Sequence, residues 1–314
     1  MPRVAYLGPQ GTFTEAALLQ MAAVGAIPAT SAGTAELTPV ACDSSEAALA
    51  AVRAGTADYA CAPIENSIDG SVVPTMDSLA VEAPLQIFAE HTLDVAFSIA
   101  VRAGTTASDV ETIAAFPVAA AQVKRWLAAH LPDARTVPTT SNAAAAHDVA
   151  AGRADAGVST ALAAQRLGLD TLADGVVDEA SARTRFVLVG PPGPPPARTG
   201  NDRTSVVLRL DNVPGALVAA MTEFAIRDID LTRIESRPTR IELGTYVFFL
   251  DCVGHIDDDP VAEALRALHR RCADVRYLGS WSVGPTDGGL LGTRPPVTDE
   301  AAEWLAALRE GRHR

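Results

Sequence analysis

Apolar positions along the chain change their period at short intervals. Arg3 to Leu7 and Asp58 to Ala62 are short β-type runs that predict strands, whereas Thr14 to Ala23 and Ser45 to Ala54 are Ala-rich stretches that predict helices. Further along, Val118 to Leu131, Ala143 to Ala151 and Thr160 to Leu167 predict helices, with Gly157-Val158 in a short strand between the last two. Such alternation argues for α/β architecture with mainly parallel sheets. Phe186-Val187-Leu188-Val189 reads as a buried strand, entered through Arg183-Thr184-Arg185.

The pattern stops at Gly190-Pro191-Pro192-Gly193-Pro194-Pro195-Pro196, where so much proline and glycine cannot continue a helix or a central strand. Beyond it, Ser205 to Leu210, Leu231 to Glu235, Thr245 to Cys252 and Val275 to Leu278 predict strands. Pro214 to Arg227, with proline in its first turn, and Pro260 to Arg271 predict helices. The order βαββαβ is the ferredoxin-like split motif, an α+β unit. Expected boundaries are therefore a first domain over 1–190, a stiff linker over 191–203, a second domain over 204–283 and a tail over 284–314. In the tail, Asp299 to Arg309 predicts an amphipathic docking helix presenting Trp304, Leu305 and Leu308.

An internal echo links Ala51-Val52-Arg53-Ala54-Gly55-Thr56-Ala57-Asp58 to Asp148-Val149-Ala150-Ala151-Gly152-Arg153-Ala154-Asp155. Each would end a helix at a glycine and turn into a strand. Two explanations stand: chance recurrence of Gly-capped Ala-rich helices, or two similar α/β lobes facing each other across a cleft.

The 314 residues carry 25 basic and 38 acidic side chains, a formal net charge of −13. Bulk attraction to nucleic acid or to anionic membrane is thereby disfavoured, and an anionic ligand must be met by a local basic or amide-rich site. Met1 to Gly8 is too short an apolar stretch for a signal peptide, and no stretch approaches the length of a membrane span. Cys42, Cys61, Cys252 and Cys272 are scattered with no CxxC pair, and the six histidines show no metal spacing. These features predict a metal-free cytoplasmic protein with reduced thiols.

Three polar turns could carry chemistry. Gly8-Pro9-Gln10-Gly11-Thr12-Phe13-Thr14-Glu15 joins the first strand to the first helix, and offers either amides for a carboxylate or phosphate or simply Thr12 as an N-cap. It has neither the GxGxxG spacing nor a Walker lysine, which disfavours a nucleotide. Pro63-Ile64-Glu65-Asn66-Ser67-Ile68-Asp69-Gly70 leaves a strand at the end where α/β sheets bind ligands, yet could equally be an Asx-turn capping a helix that begins near Val72. Thr139-Thr140-Ser141-Asn142 opens a third helix, as a second anion anchor or as one N-cap beside loop residues.

In order and spacing, Gly8 to Ala16, Pro63 to Gly70, Ser141 to Ala146 and Thr184-Arg185-Phe186 resemble the motifs of the prephenate dehydratases. Gly215-Ala216-Leu217 and Glu235-Ser236-Arg237-Pro238 resemble the signatures of the ACT amino-acid-sensing domain that such enzymes carry. Asn142 and Met221 stand where the family usually has threonine and leucine. With no chorismate mutase segment ahead of Gly8, the monofunctional form is expected. The resemblance implies a two-lobed, type II periplasmic-binding-protein-like catalytic domain joined to the ACT domain.

It also implies loss of water and carbon dioxide from prephenate to give phenylpyruvate, with no cofactor because the new aromatic ring takes up the electrons. Thr184 and Arg185 are the implied catalytic residues. Thr12, Glu65, Asn66, Ser67, Gly70, Ser141, Asn142 and Phe186 are expected around the substrate, and which of Arg183 and Arg185 serves the substrate stays open, since either could instead pair with Glu65 or Asp178. Feedback by L-phenylalanine would act through Gly215, Ala216, Leu217 and Glu235 to Pro238 at ACT interfaces of a homodimer or homotetramer. Arogenate as substrate, a solute-binding protein and a non-catalytic amino-acid sensor are the alternatives.

Overall fold

The computed structural model describes residues 1–28, 37–179, 182–239, 244–284 and 297–312. The chain divides into two compact units, Met1–Pro192 and Gly193–Arg314.

The first unit runs β1 (Arg3–Leu7), α1 (Phe13–Ala23), β2 (Thr38–Cys42), α2 (Ser45–Arg53), β3 (Tyr59–Asn66), β4 (Gly70–Ser71), α3 (Val73–Val81) and β5 (Gln86–Asp94). It continues through β6 (Phe97–Val101), β7 (Thr112–Ala115), α4 (Pro117–Gln122), α5 (Lys124–His130), β8 (Arg135–Pro138) and α6 (Asn142–Ala150). Then come β9 (Ala156–Ser159), α7 (Ala161–Arg166), β10 (Asp170–Val176) and β11 (Arg183–Gly190). Two sheets result, ordered β2-β1-β3-β11-β5 and β8-β7-β9-β6-β10, so the unit is two lobes with the same strand pattern. In each, the first three strands are parallel and the last two join antiparallel.

The sheets are therefore mixed, not mainly parallel as expected. The reason is the connection between lobes. β6 follows β5 into the second sheet and β11 returns from β10 to the first, each without a helical crossover, so each runs against its neighbours.

The internal echo is a structural repeat. Gly55 and Gly152 follow α2 and α6 with φ of +68° and +72°, the left-handed conformation that ends a helix. Three residues later Asp58 accepts the Arg3 amide at the start of β1 at 2.7 Å, and Asp155 accepts the Thr112 amide at the start of β7 at 3.0 Å. The same four-residue turn thus fixes the register of the same pair of parallel strands in both lobes.

The helix expected over Val118 to Leu131 is two helices. Val123, at φ −122°, breaks it, and Asp178 from the returning segment caps the second piece by accepting the amides of Arg125 and Trp126. A residue 53 positions away in sequence supplies that cap.

The second unit holds β12 (Asp202–Arg209), α8 (Ala216–Ala225), β13 (Leu231–Pro238), β14 (Tyr246–Val253), α9 (Asp259–Arg271), β15 (Asp274–Ser282) and α10 (Val297–Arg309). Its sheet, ordered β13-β14-β12-β15, is antiparallel and packs Val206, Leu208 and Leu250 against Phe224, Ala264 and Leu268 of α8 and α9. This is the ferredoxin-like unit expected. β12 begins inside the stretch assigned to the linker, because the Asp202 carboxylate closes a turn on the amides of Thr199 and Gly200. α8 begins after Pro214, not at it, because Gly215 at φ +83° cannot belong to the helix and acts as its N-cap. α10 spans the expected tail helix, with Trp304 and Leu305 exposed; residues 285–296 lie outside the described residues. Among the described residues no helix is long and apolar enough to cross a membrane.

Candidate active site

β1 and β3 are parallel neighbours, so the turns that leave them lie at one edge of the first sheet. From β3, the backbone continues to Asn66, whose Cα stands opposite Thr184 of β11. The Asn66 side chain makes three hydrogen bonds that fix its orientation. Its Oδ1 accepts the amides of Ile68 at 2.8 Å and Asp69 at 3.0 Å, so its Nδ2 must be the atom that donates to Thr184 Oγ1, at 2.9 Å. The Asx-turn therefore exists, but it closes the β3–β4 hairpin, with Gly70 at φ +80° opposite Asn66, and does not cap α3.

Thr184 lies inside β11, not ahead of it, and is 8% exposed. With its oxygen accepting from Asn66, its own proton is directed elsewhere. Ser67 accepts the Arg183 amide through Oγ at 2.9 Å and donates its own amide to the Arg183 carbonyl, pinning the first residue of β11.

Successive strand residues point to opposite faces, so Arg185 leaves the sheet on the side away from Thr184. There it is paired with Glu65 at 3.2 Å and with the buried Glu90 at 3.4 Å. Arg183 pairs with exposed Asp94 at 2.8 Å, and Asp178 belongs to Arg125. Arg185 is thus held in buried ion pairs of the sheet, with Glu65 and Glu90 as its partners. Phe186 is buried as well. A register shift follows Arg185, and the ring, 2% exposed, packs with Val4, Tyr6, Leu18 and Leu188 under α1. It belongs to the core, where burial of such a side chain contributes about 1.5–3 kcal/mol.

The remaining predicted residues meet in a cavity of about 680 Å³ between the lobes. Gly8, Thr12 and Thr14 line it from the first lobe, Ser141, Asn142 and His147 from the second. Both α1 and α6 present their N-termini there. Thr12 caps α1, accepting the Glu15 amide, but spends its proton on the Leu7 carbonyl at 2.9 Å, so the hydroxyl is not the group it offers. First-turn N–H groups have no intrahelical acceptor, and those are what α1 turns to the cavity. The Gly11 amide is not among them, being held at 2.6 Å by Glu15. Ser141 caps α6 through the Ala144 amide at 3.0 Å, and Asn142 carries a buried Oδ1 with no hydrogen-bond partner. A buried amide oxygen left alone costs about 1–3 kcal/mol, a cost a ligand donor would relieve.

Sequence reasoning missed three features of this region. Glu15 is 1% exposed and holds Gly11, Tyr6 and Arg166. Cys42 lines the cavity, and burial, with Asp43 adding to it, pushes its thiol up, which keeps it protonated. Gln122 has a buried, unpartnered Oε1 in a second, apolar cavity lined by Ile68, Val118 and Val177. Among the described residues no group of His, Cys, Asp and Glu is arranged to hold a metal ion.

Fold and site together define a two-lobed α/β protein of the periplasmic-binding-protein-like kind, with an anion-receptive cleft and a strand-borne threonine, joined to a ferredoxin-like unit. The family described as "Prephenate dehydratase" matches residues 4–193, and the ACT domain matches 204–270. A prephenate dehydratase of Mycolicibacterium vanbaalenii is 73% identical over 99% of this chain and 100% of its own. The crystal structure of the Arthrobacter aurescens prephenate dehydratase in complex with L-Phe is 39% identical with a TM-score of 0.83, covering 98% of this chain and all of that one. A structure described as GqqA, of a novel type of quorum quenching acylases, is 30% identical with a TM-score of 0.78 over 90% of this chain and 99% of its own. The chain belongs to the prephenate dehydratase family.

Proposed function

We propose that the chain converts prephenate to phenylpyruvate, carbon dioxide and water. The ring carboxylate leaves as carbon dioxide, the bonding pair moves into the ring, and the ring hydroxyl departs and takes up a proton to become water. Aromatisation drives the step, so the protein's work is to hold a dianion in the reactive geometry and to assist a poor leaving group.

The observation that carries this reading is the Asn66–Thr184 contact: an amide whose orientation is fixed by two backbone donors, 2.9 Å from a threonine oxygen. Held as an acceptor, Thr184 donates a hydrogen bond to the departing hydroxyl, and the proton that completes the water comes in net from solvent. The N-termini of α1 and α6, with the Ser141 hydroxyl and the Asn142 Nδ2, receive the carboxylates, and Ser67 with Gly70 keeps the hairpin and β11 aligned. Arg185, on the far face, holds the strand. Thr184→Ser retains partial turnover and Thr184→Ala loses most of it with the fold intact; an alanine variant as active as the parent would remove Thr184 from the mechanism.

The second unit supplies feedback by L-phenylalanine. A cavity of about 150 Å³ lined by Asp211, Asn212, Ala216, Leu217 and Tyr246 lies beside Gly215, and the relative bound to L-Phe supports this use. Glu235 to Pro238 form the neighbouring edge strand, with Pro238 opposite Tyr246, and complete the site across the interface of a dimer or tetramer. Four free thiols suit a reducing cytoplasm. Turnover of prephenate against arogenate, with and without phenylalanine, tests substrate and regulation together.

A further inference from the structure

The two lobes meet at a cluster that the dehydration chemistry above does not use. Glu15 of α1 is buried beneath the turn from Gly8 to Thr12, and its carboxylate accepts from the Gly11 amide at 2.6 Å and from the Tyr6 hydroxyl at 3.2 Å. Its charge partner comes from the other lobe: Arg166, at the end of α7, reaches Glu15 Oε1 at 2.9 Å. Around this pair the lobes are in close contact. Thr160, the N-cap of α7, donates its hydroxyl to the Gly11 carbonyl. Gly11, at φ +89°, lies so near Ala163 that a Cβ there would stand 2.7 Å from the alanine's. Phe13 packs edge-on against Phe97 at 5.6 Å.

The electrostatics of this arrangement are unusual for an anion site. A buried carboxylate sits behind the helix N-terminus that is meant to receive a substrate carboxylate, and in a partly desolvated setting like charges several ångströms apart repel by an amount that binding can feel. Burial first, and Glu15 second, hold the Tyr6 phenol well above its ordinary range, so Tyr6 contributes a neutral hydrogen bond and no compensating charge. Among the cations described around Glu15, Arg166 is the one paired with it.

We propose that Arg166 is a positioning residue for substrate binding: it neutralises Glu15 across the lobe junction, so that Glu15 can shape the Gly8–Thr12 turn without repelling the anion the turn receives. The inference rests on the proposed dianionic substrate. It places the role of the pair in ground-state and transition-state binding alike, which moves KM and leaves kcat largely alone.

The test is steady-state turnover of prephenate by the full chain carrying R166M, R166K, E15Q or E15Q/R166M. R166M is expected to raise KM by at least roughly tenfold, because one uncompensated charge several ångströms away at an effective dielectric of ~20 repels by more than that factor, with kcat within about threefold. R166K is expected to restore most of the loss. E15Q keeps an acceptor for Gly11 but leaves Arg166 unneutralised, and is expected to lower KM. The double variant, which removes both charges, is expected to return KM to near the parent's value. An R166M enzyme with unchanged KM, an E15Q enzyme with raised KM, or a double variant no better than R166M would each overturn the inference. Absence of turnover by the unmutated chain would instead overturn the dehydratase reading on which it rests.

Discussion

Replacing Asn66 by aspartate changes the chemistry of the one atom of its side chain that hydrogen-bonds Thr184. The retained oxygen still accepts the Ile68 and Asp69 amides, so the β3–β4 hairpin keeps its closure. The other position, which donated to Thr184 Oγ1 at 2.9 Å, becomes an acceptor. Thr184 must then turn its proton towards the introduced carboxylate, and the donor proposed for the departing hydroxyl is withdrawn. Loss of one positioned donor in an active site costs about 10²–10³ in kcat. The lower end, about a hundredfold, applies here because Asn66 is only half-buried. Phenylpyruvate release, followed by absorbance, measures it, with the urea midpoint as a control on folding. A pH profile gives the sharper readout. A protonated carboxyl can donate again, so the deficit should shrink as pH falls through the introduced group's pKa. A dianionic substrate nearby raises that pKa, and the Ile68 and Asp69 amides that donate to the retained oxygen lower it. A variant with unaltered kcat, or a deficit that does not change with pH, would refute the hydrogen-bond assignment.

Gly11→Ala forces a left-handed residue to carry a Cβ 2.7 Å from that of Ala163; backbone strain and overpacking together should cost roughly 2–4 kcal/mol, read as a lowered melting temperature with activity falling alongside. Thr112→Val removes the largest cause that holds the Asp155 carboxyl below its usual range, the Thr112 hydroxyl bond. The folded pKa of Asp155 is depressed, so its contribution is present above the unfolded carboxylate value and disappears as pH falls through the folded one. The valine variant should therefore be less stable by about 1 kcal/mol at neutral pH, with the gap closing under acid in denaturation curves; a gap constant with pH would contradict the assignment.

Element identities were legible where the signal is local. β1 matches its apolar run, and the glycine turns after α2 and α6 were visible as an echo because a left-handed residue followed by a strand-capping aspartate needs the same short sequence in both lobes. Long-range causes were not legible. The break at Val123 comes from Asp178, and the antiparallel half of each sheet comes from strands exchanged between lobes, which no local period records. The start of α8 was misplaced because proline suits a first helical turn, whereas the left-handed glycine after it decides the boundary.

The site shows the same division. Thr184 and Arg185 are adjacent in sequence and both polar, so resemblance gave both of them to the chemistry. Strand geometry separates them. Once Thr184 is seen to lie within β11, the two-residue period sends its neighbour to the opposite face, where Glu65 and Glu90 hold the guanidinium. A charge placed there is retained by pairing, because a buried carboxylate such as Glu90 requires a cation beside it. The polar turns follow a similar rule. Several of their polar groups are engaged internally: Thr12 donates its hydroxyl to the Leu7 carbonyl, Ser67 Oγ accepts the Arg183 amide and the Glu15 carboxylate accepts the Gly11 amide. These bonds leave for a ligand, among other groups, backbone N–H at two helix ends, the amide of Asn142 and one proton on Thr184. A dianion that must lose a hydroxyl needs amide donors for its carboxylates and a further donor for the leaving oxygen, and groups of both kinds are among those that the internal hydrogen bonding leaves over.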